Sequence, residues 1–371
     1  MHNVLWVTQD CFVDHDIVIV PLISNYAKIT WIILLPYKEA RYKESDFKQI
    51  AIDHPKLNIL FLKFKYRMRN PRNMVVYNQL FKHSMRINPD VIHLDIDLIN
   101  PWAQPFLLRL PREKTVLVVH QGAPHIGMTH KGFNNFIRKI LFNRFDYVKM
   151  FSKSQADIFK SYFRKTKVFQ FTLPLLNFGD PSNIRPLEGR VRFLSFGIIN
   201  YTKNIDLLID AACQLYERGI NNFVVSINGL CKNWEWYQER IKYPEIFELD
   251  IRMIDNKEIP NLFNGSHYLV QPYRVVAQSG PMKIAFQYNL PVLTSNLPGF
   301  TDEIVEGVNG YSFEKGNVAD LADKMQMLIE NHQNYKALLE SEKEYTRKTY
   351  SPKALISKYE EMFDEIIRNY E

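Results

Sequence analysis

Four groups of residues in this 371-residue chain have the types and spacing to do chemistry. The first is Ser279-Gly280, inside the run QPYRVVAQSGPMKIAFQYNLPVLTSNLPG from Gln271 to Gly299. A serine-glycine pair just ahead of a helix leaves backbone N–H groups and the helix dipole facing an anion, and a glycine lets a ligand approach the backbone closely. The same pair would equally serve an ordinary helix cap. The second group is His120 and His125, which flank a Gly-Ala-Pro turn. A histidine in such a place can bond a substrate hydroxyl or shuttle a proton, or be a capped histidine with no chemical role. The third is Asp14-His15-Asp16, read as part of a polar loop in which one acid could orient a hydroxyl. The fourth is Asp95-Ile96-Asp97, two carboxylates of the kind a hard cation prefers. Pairs this short arise by chance, and no metal ligand set is assigned.

These groups need elements to hold them. Leu269-Val270 ends an apolar run, Pro272 to Ser279 reads as a loop, and Pro281 suits the first turn of a helix. Ile284, Ala285 and Tyr288 recur at helical spacing before Asn289-Leu290-Pro291 stops the helix and Val292-Leu293 begins a strand. Earlier in the chain, Val4 to Val7, Ile29 to Leu35, Leu57 to Phe64, Val91 to Leu94, Thr115 to His120, Asp146 to Ser152 and Val168-Phe169 read as strands, with helical segments between most of them. Phe133 to Phe145 is an amphipathic helix that is both aromatic and basic. It can pack its apolar face on its own sheet or lie in a membrane interface. Leu176 to Gly189, rich in Asn, Gly, Pro and Ser, is a linker. Strands and helices then alternate again to the end. The pattern predicts two doubly wound parallel α/β domains, over residues 1–180 and 190–350. A C-terminal helix over 351–371 is free to return to the first domain.

Composition narrows the function classes. The length suits two domains, and 46% hydrophobic residues mark a globular chain. No apolar run approaches the ~20 residues that span a bilayer. The start, Met1-His2-Asn3, lacks the basic and apolar regions of a signal peptide, and three scattered cysteines fit a reducing compartment, so a cytoplasmic protein is expected. The net charge of +7 is uneven: residues 1–180 hold 26 Lys+Arg against 14 Asp+Glu, leaving 21 against 26 beyond them. A basic first half suits an anionic partner, such as a phosphorylated acceptor or an anionic membrane surface. Without any strand- or groove-reading motif, nucleic acid is not expected.

From Phe196-Gly197 to Lys203-Asn204, and again from Tyr273 to Gly310, the second half resembles the family 4 glycosyltransferases. Gly197 with Lys203 six residues on, Tyr273, Ser279-Gly280, Pro291-Val292, Gly299, Glu303 and Asn309-Gly310 carry the likeness. It covers residues 190–330; the first half is similar only in outline, at Asp90 to His93 and at His120 to His125. The resemblance implies the GT-B fold, two Rossmann-like domains facing a cleft. It also implies transfer from a nucleotide-diphosphate sugar with retention of configuration and no bound metal or other cofactor.

On that reading the donor meets Gly197, Asn200, Lys203, Tyr273, Arg274, Gln278, Ser279 and Gly280, with Lys203 stabilising diphosphate charge. The acceptor, a glycan or a lipid-linked glycan, meets Asp14, Asp16, His120 and His125, with His125 and Lys203 as the catalytic pair. The chain departs from the family at Ile198, where an arginine is usual. It departs again at Val275 or Val276 and at Lys283 or Ile284, where two glutamates are usual. A non-catalytic sugar- or partner-binding subunit of the same fold is the alternative these departures raise.

Overall fold

The computed structural model describes residues 2–38, 40, 42–122, 131–182 and 189–371. It divides into two compact units, Met1–Pro174 together with Pro352–Glu371, and Leu175–Ser351. Of the expected site residues, His125 lies outside the described residues.

The first unit is built on seven strands: β1 (Asn3–Gln9), β2 (Lys28–Leu35), β3 (Leu57–Lys63), β4 (Val91–Asp95), β5 (Thr115–Val118), β6 (Tyr147–Met150) and β7 (Lys167–Gln170). All pair in parallel, in the order β3-β2-β1-β4-β5-β6-β7. Parallel strands covered on both faces must be apolar along their whole length. Accordingly β2 is buried from Ile29 to Leu35, and β1 from Val4 onward. One face carries Leu5, Val7, Ile92 and Leu94 with Leu141 and Phe142 of the Lys131–Arg144 helix; the other carries Val4, Trp6, Trp31 and Ile33.

The last helix, Pro352–Tyr370, belongs to this second face. Leu355, Tyr359, Met362, Phe363 and Ile366 recur along one side and are buried against it. At roughly 1.5–3 kcal/mol per large side chain, that burial is of order 10 kcal/mol before entropy is counted. The helix is therefore an integral layer of the first unit.

The second unit has six parallel strands, β8 (Val191–Phe196), β9 (Phe223–Asn228), β10 (Phe247–Asp250), β11 (Tyr268–Gln271), β12 (Val292–Ser295) and β13 (Gly310–Phe313), in the order β10-β9-β8-β11-β12-β13. Strand order reverses between β1 and β4 in one sheet and between β8 and β11 in the other. In open α/β sheets, ligands bind outside the strand C-termini at such a reversal.

Two local expectations change. Asp14, His15 and Asp16 are not in a loop but in the first turn of the helix Val13–Ile23, where carboxylates complement the free N–H groups. The Lys131–Arg144 helix buries Ile137 and Leu141 but turns Phe133 and Phe136 outward, 50% and 60% exposed. Its apolar residues thus form two stripes, only one of which meets the sheet.

One buried group in the second unit works against folding. Glu342, in the helix Tyr335–Tyr350, is fully buried and neither carboxylate oxygen has a hydrogen-bond partner among the described residues. Burial pushes its pKa well above the ordinary carboxylate value, so the folded chain holds a proton that the unfolded chain releases. The stability tied to that proton is complete below the ordinary value and is lost as pH rises toward the raised one, at up to about 1.4 kcal/mol per pH unit. Glu342→Leu is predicted to raise the melting temperature, with the gain over the native chain growing from pH 5 to pH 7 in calorimetric scans. A gain that is absent or independent of pH would refute the assignment.

Candidate functional site

Each unit gathers polar groups at the C-terminal edge of its sheet. In the second unit, β11 ends at Gln271 and the chain loops through Pro272 to Ser279 before the helix Gly280–Gln287. Ser279 is the N-cap: its hydroxyl accepts from the N–H of Met282 at 3.3 Å. Gln271 fixes this loop from below, its Nε2 lying 2.8 Å from both the Ser279 and the Tyr273 hydroxyls. Tyr273 is thereby buried with its ring held in place, and burial raises its pKa. Gly299 packs against the far side of the loop, where an added Cβ would lie 2.7 Å from the Val276 carbonyl oxygen.

Lys203 lies over the Tyr273 ring, with its ammonium 3.8 Å from the ring centroid. It ends the short turn Tyr201–Lys203 that follows β8, capped by the Asn200 side chain, which accepts from the Thr202 N–H at 3.0 Å and the Thr202 hydroxyl at 2.6 Å. Asn204 next to it adopts φ 55°, a left-handed conformation that asparagine tolerates. Desolvation lowers the Lys203 pKa to about 8. A cation that has surrendered water and has no carboxylate partner among the described residues is suited to an anionic ligand.

A glycine missed in the sequence keeps this edge open. Gly229, after β9, has φ +152°, and an added Cβ would lie 1.9 Å from the carbonyl oxygen of Gly197, which itself has φ +113°. The two backbones touch and no side chain intervenes. Only the backbone geometry reveals Gly229, because its role depends on a partner 32 residues earlier.

The other expected donor contacts fall as follows. Gln278 has its amide nitrogen buried and without a partner among the described residues. Arg274 stacks on Tyr201 at 4.3 Å, donates to the Tyr201 carbonyl at 2.5 Å and pairs with Asp206 at 2.6 Å. Its charge is matched by that carboxylate, and it lines a cavity of about 530 Å³ shared with Asn204, Asp206 and Lys315. Lys283, in the segment where the family carries an acid, is fully buried and ion-paired with Glu303; both meet the Tyr350 hydroxyl, at 2.9 and 2.6 Å. Burial lowers the Lys283 pKa, and Glu303 opposes the shift. Asn309 is structural: it donates to the Glu303 carbonyl and accepts from the Val305 N–H.

In the first unit, Asp95 at the end of β4 is wholly buried and lies between two imidazoles. His15 Nε2 is 2.8 Å from Oδ2 and His120 Nε2 is 2.8 Å from Oδ1. Burial works to raise the Asp95 pKa, but the His120 charge and the two hydrogen bonds outweigh it and hold it well below the usual carboxylate range. Phe12 stacks on the His120 ring at 4.4 Å, with Phe151 at 5.7 Å. The loop after His120 is anchored twice. Arg138 donates to the carbonyls of Gln121 and Gly122 at 3.1 and 2.9 Å, and Gln155 accepts from the Gly122 N–H at 3.0 Å.

Asp14 accepts from the Tyr42 hydroxyl at 2.6 Å. Asp16, expected at the acceptor, is instead fully enclosed, accepting from Trp6 Nε1 at 2.8 Å and the Thr8 hydroxyl at 2.5 Å; burial raises its pKa. Lys149, equally buried, donates to Tyr359 of the last helix at 2.8 Å, and burial brings it down to about 8 despite Asp16 and Asp95. Asp95 and Asp97 do not act as a pair: Asp97 accepts from the Ile99 N–H at 3.3 Å, within its own turn.

His15, Asp95 and His120 are the described residues whose ligand atoms come close enough to hold a metal, all within 4.8 Å of one another. Their 2.8 Å contacts are hydrogen bonds. Two ligands on one tetrahedral zinc sit roughly 3.3 Å apart, so an ion would have to spread the set.

Known proteins share this architecture. HepE of Anabaena, solved in complex with UDP, superposes with a TM-score of 0.72 at 15% identity, covering 98% of this chain and all of that one. Sucrose-phosphate synthase from Thermosynechococcus elongatus superposes with a TM-score of 0.75 at 11% identity over the whole of both chains. The two parallel Rossmann-like units define a GT-B fold. In sequence, residues 181–349 match the family described as glycosyl transferases group 1. An uncharacterized glycosyltransferase of Methanocaldococcus jannaschii is 27% identical over 181 residues, 48% of this chain and 50% of its own length. The match thus spans half of that relative. Residues 181–349 are similar to a group 1 glycosyltransferase domain and lie on a GT-B scaffold.

Proposed function

We propose that the chain is a retaining, metal-independent glycosyltransferase of family 4. It moves a sugar from a nucleotide-diphosphate sugar to a glycan or lipid-linked acceptor in surface polysaccharide synthesis, at the cytoplasmic face of a membrane. The observation that carries this is the juxtaposition of Lys203, on the buried Tyr273 ring, with the Ser279-capped helix start on the loop below it. Both follow the β8 and β11 ends where the strand order reverses. A diphosphate needs fixed positive charge and N–H donors, and these supply both without a metal. The UDP bound by HepE and the group 1 match support the donor class.

In the step, the bond from the sugar C1 to the diphosphate oxygen breaks and a bond from the acceptor oxygen to C1 forms on the same face. The acceptor's proton passes to the departing diphosphate oxygen. The protein's contribution is positioning and charge stabilisation. His120 and Asp14 are the described acceptor-side candidates, with His125 outside the described residues.

The non-catalytic reading is favoured by one observation: where the family carries its second acid this chain offers Ile284 or Lys283, and Lys283 is committed to Glu303. Nucleotide binding without turnover across a donor and acceptor panel is the outcome that reading requires.

Two predictions follow from these placements. Lys203→Ala lowers kcat/KM on the order of 10²- to 10³-fold while the fold is retained. The Lys203 charge is present below about 8 and lost above it, so UDP affinity of the native chain falls from pH 7 to pH 9 and that of the variant does not. Unchanged turnover in the variant contradicts the assignment. For membrane contact, the outward Phe133 and Phe136 share their helix with Lys139 and Arg144. Phe136→Ser reduces co-sedimentation with phosphatidylglycerol vesicles and leaves the low background on phosphatidylcholine vesicles unaltered; equal sedimentation of both chains would rule this surface out.

A further inference from the structure

Asp95 occupies a place that none of the expected site residues fills. It is an ionised carboxylate with no exposure, at the end of β4 beside the strand reversal, and it bridges His15 and His120. An ionised carboxylate can only accept hydrogen bonds. Each imidazole must therefore present Nε2–H to it. A neutral ring with Nε2–H has its lone pair on Nδ1, and the His120 Nδ1 has no hydrogen-bond partner among the described residues.

The His120 ring has no other freedom. Phe12 stacks on it with planes 10° apart, and Phe151 adds a second stacked ring at 30°. The plane is set by the aromatics and the rotation within the plane by Asp95. Arg138 and Gln155 hold the backbone on which the ring is mounted. With neutral imidazoles the carboxylate is still held ionised by the two hydrogen bonds from their Nε2–H groups and by Lys149 deeper in the same layer, whose ammonium donates to Tyr359. Asp16 is in that layer: its Oδ2 is engaged by Trp6 and Thr8, and its Oδ1 lies 3.8 Å from His15 Nε2. Asp16 Oδ1 and the His93 ring nitrogens, also without hydrogen-bond partners among the described residues, are enclosed in the layer, whereas the His120 side chain is 26% exposed.

We propose that Asp95 is a positioning residue for the transfer reaction: by accepting from Nε2–H of both histidines it fixes His120 in the one tautomer whose Nδ1 can accept a hydrogen bond from a sugar hydroxyl. This rests on the reading of the chain as a glycosyltransferase. His15 is the second arm, holding the carboxylate so that Oδ1 faces His120. No proton changes owner in this role; the histidine orients the sugar, and the transfer step stands as written above.

The test is made on the full chain by two independent readouts. Long-range ¹H–¹⁵N correlation spectra of histidine-labelled protein at alkaline pH, with His120 assigned by His120→Gln, report the tautomer without any substrate. The expected spectrum has protonated Nε2 and unprotonated Nδ1 at His120. In Asp95→Asn the carboxamide can accept from only one ring, so at least one of the two histidines moves to the Nδ1–H form. With an acceptor in hand, Asp95→Asn lowers kcat on the order of 10²-fold with the KM for the nucleotide sugar nearly unchanged. A merely structural role would move the melting temperature but not the tautomer.

Protonated Nδ1 at His120 in the native chain overturns the proposal, as does full turnover in Asp95→Asn. One equivalent of Zn²⁺ bound by the native chain, with both imidazole nitrogens shifted by the metal, also overturns it, because the set would then be ligands. Should the native chain transfer no sugar at all, the functional reading fails while the spectrum still decides the tautomer.

Discussion

A parallel sheet has one edge at which strands end and helices begin, and the chemistry of this protein depends on that constraint. Every crossover returns the chain to start a new strand at the opposite edge, so the helix N-termini, with their free N–H groups, collect where the strands run out. Both sheets reverse their strand order in the middle, between β1 and β4 and between β8 and β11, which parts the flanking helices there. Asp95 and His120 in one unit, and Lys203, Tyr273 and Ser279 in the other, end or follow strands at or next to those reversals. The apolar strands behind them are interchangeable in kind; the ends are not.

The two edges solve opposite electrostatic problems. In the second unit Lys203 is desolvated against an aromatic ring and has no carboxylate partner among the described residues, as the proposed diphosphate ligand would require. Arg274, matched by Asp206, and Lys283, matched by Glu303, show what a cation with a structural task looks like in the same unit. In the first unit the negative charges are built in. Asp95 and Asp16 lie wholly inside, with Lys149, His15 and His120 arranged around them. That layer reaches the last helix through Tyr359, so the C-terminal segment contributes to the polar edge as well as to the core.

Much of this was legible in the sequence wherever the signal was local. The helix start at Ser279-Gly280-Pro281 can be read from three adjacent residues, and the strand-helix alternation from apolar periodicity, because caps and periods are properties of neighbours in the chain. What failed to show depends on distance. Asp14 to Asp16 read as a loop because their polarity is that of a loop; the helix they begin is decided by Val13, Ile19 and Val20 packing on the sheet. Asp95 read only as half of a short, chance-level pair with Asp97, since spacing alone cannot reveal that His15 and His120, 80 and 25 residues away, converge on it. The outward stripe of Phe133 and Phe136 was folded into the core-facing stripe, as both are apolar at helical spacing. Lys283 or Ile284 read as the place of a lost acid, and the structure pairs Lys283 with Glu303.

The central claim is that the second unit binds a nucleoside diphosphate through fixed protein charge. Thermal denaturation of the full chain with UDP, GDP, ADP and CMP, each with chelator present, tests it most directly, because a ligand that binds only the folded state raises the melting temperature by mass action. A rise with one of the diphosphates, undiminished by chelator, is the result this account predicts. No rise with any of them up to millimolar concentration, or a rise that chelator removes, would contradict it.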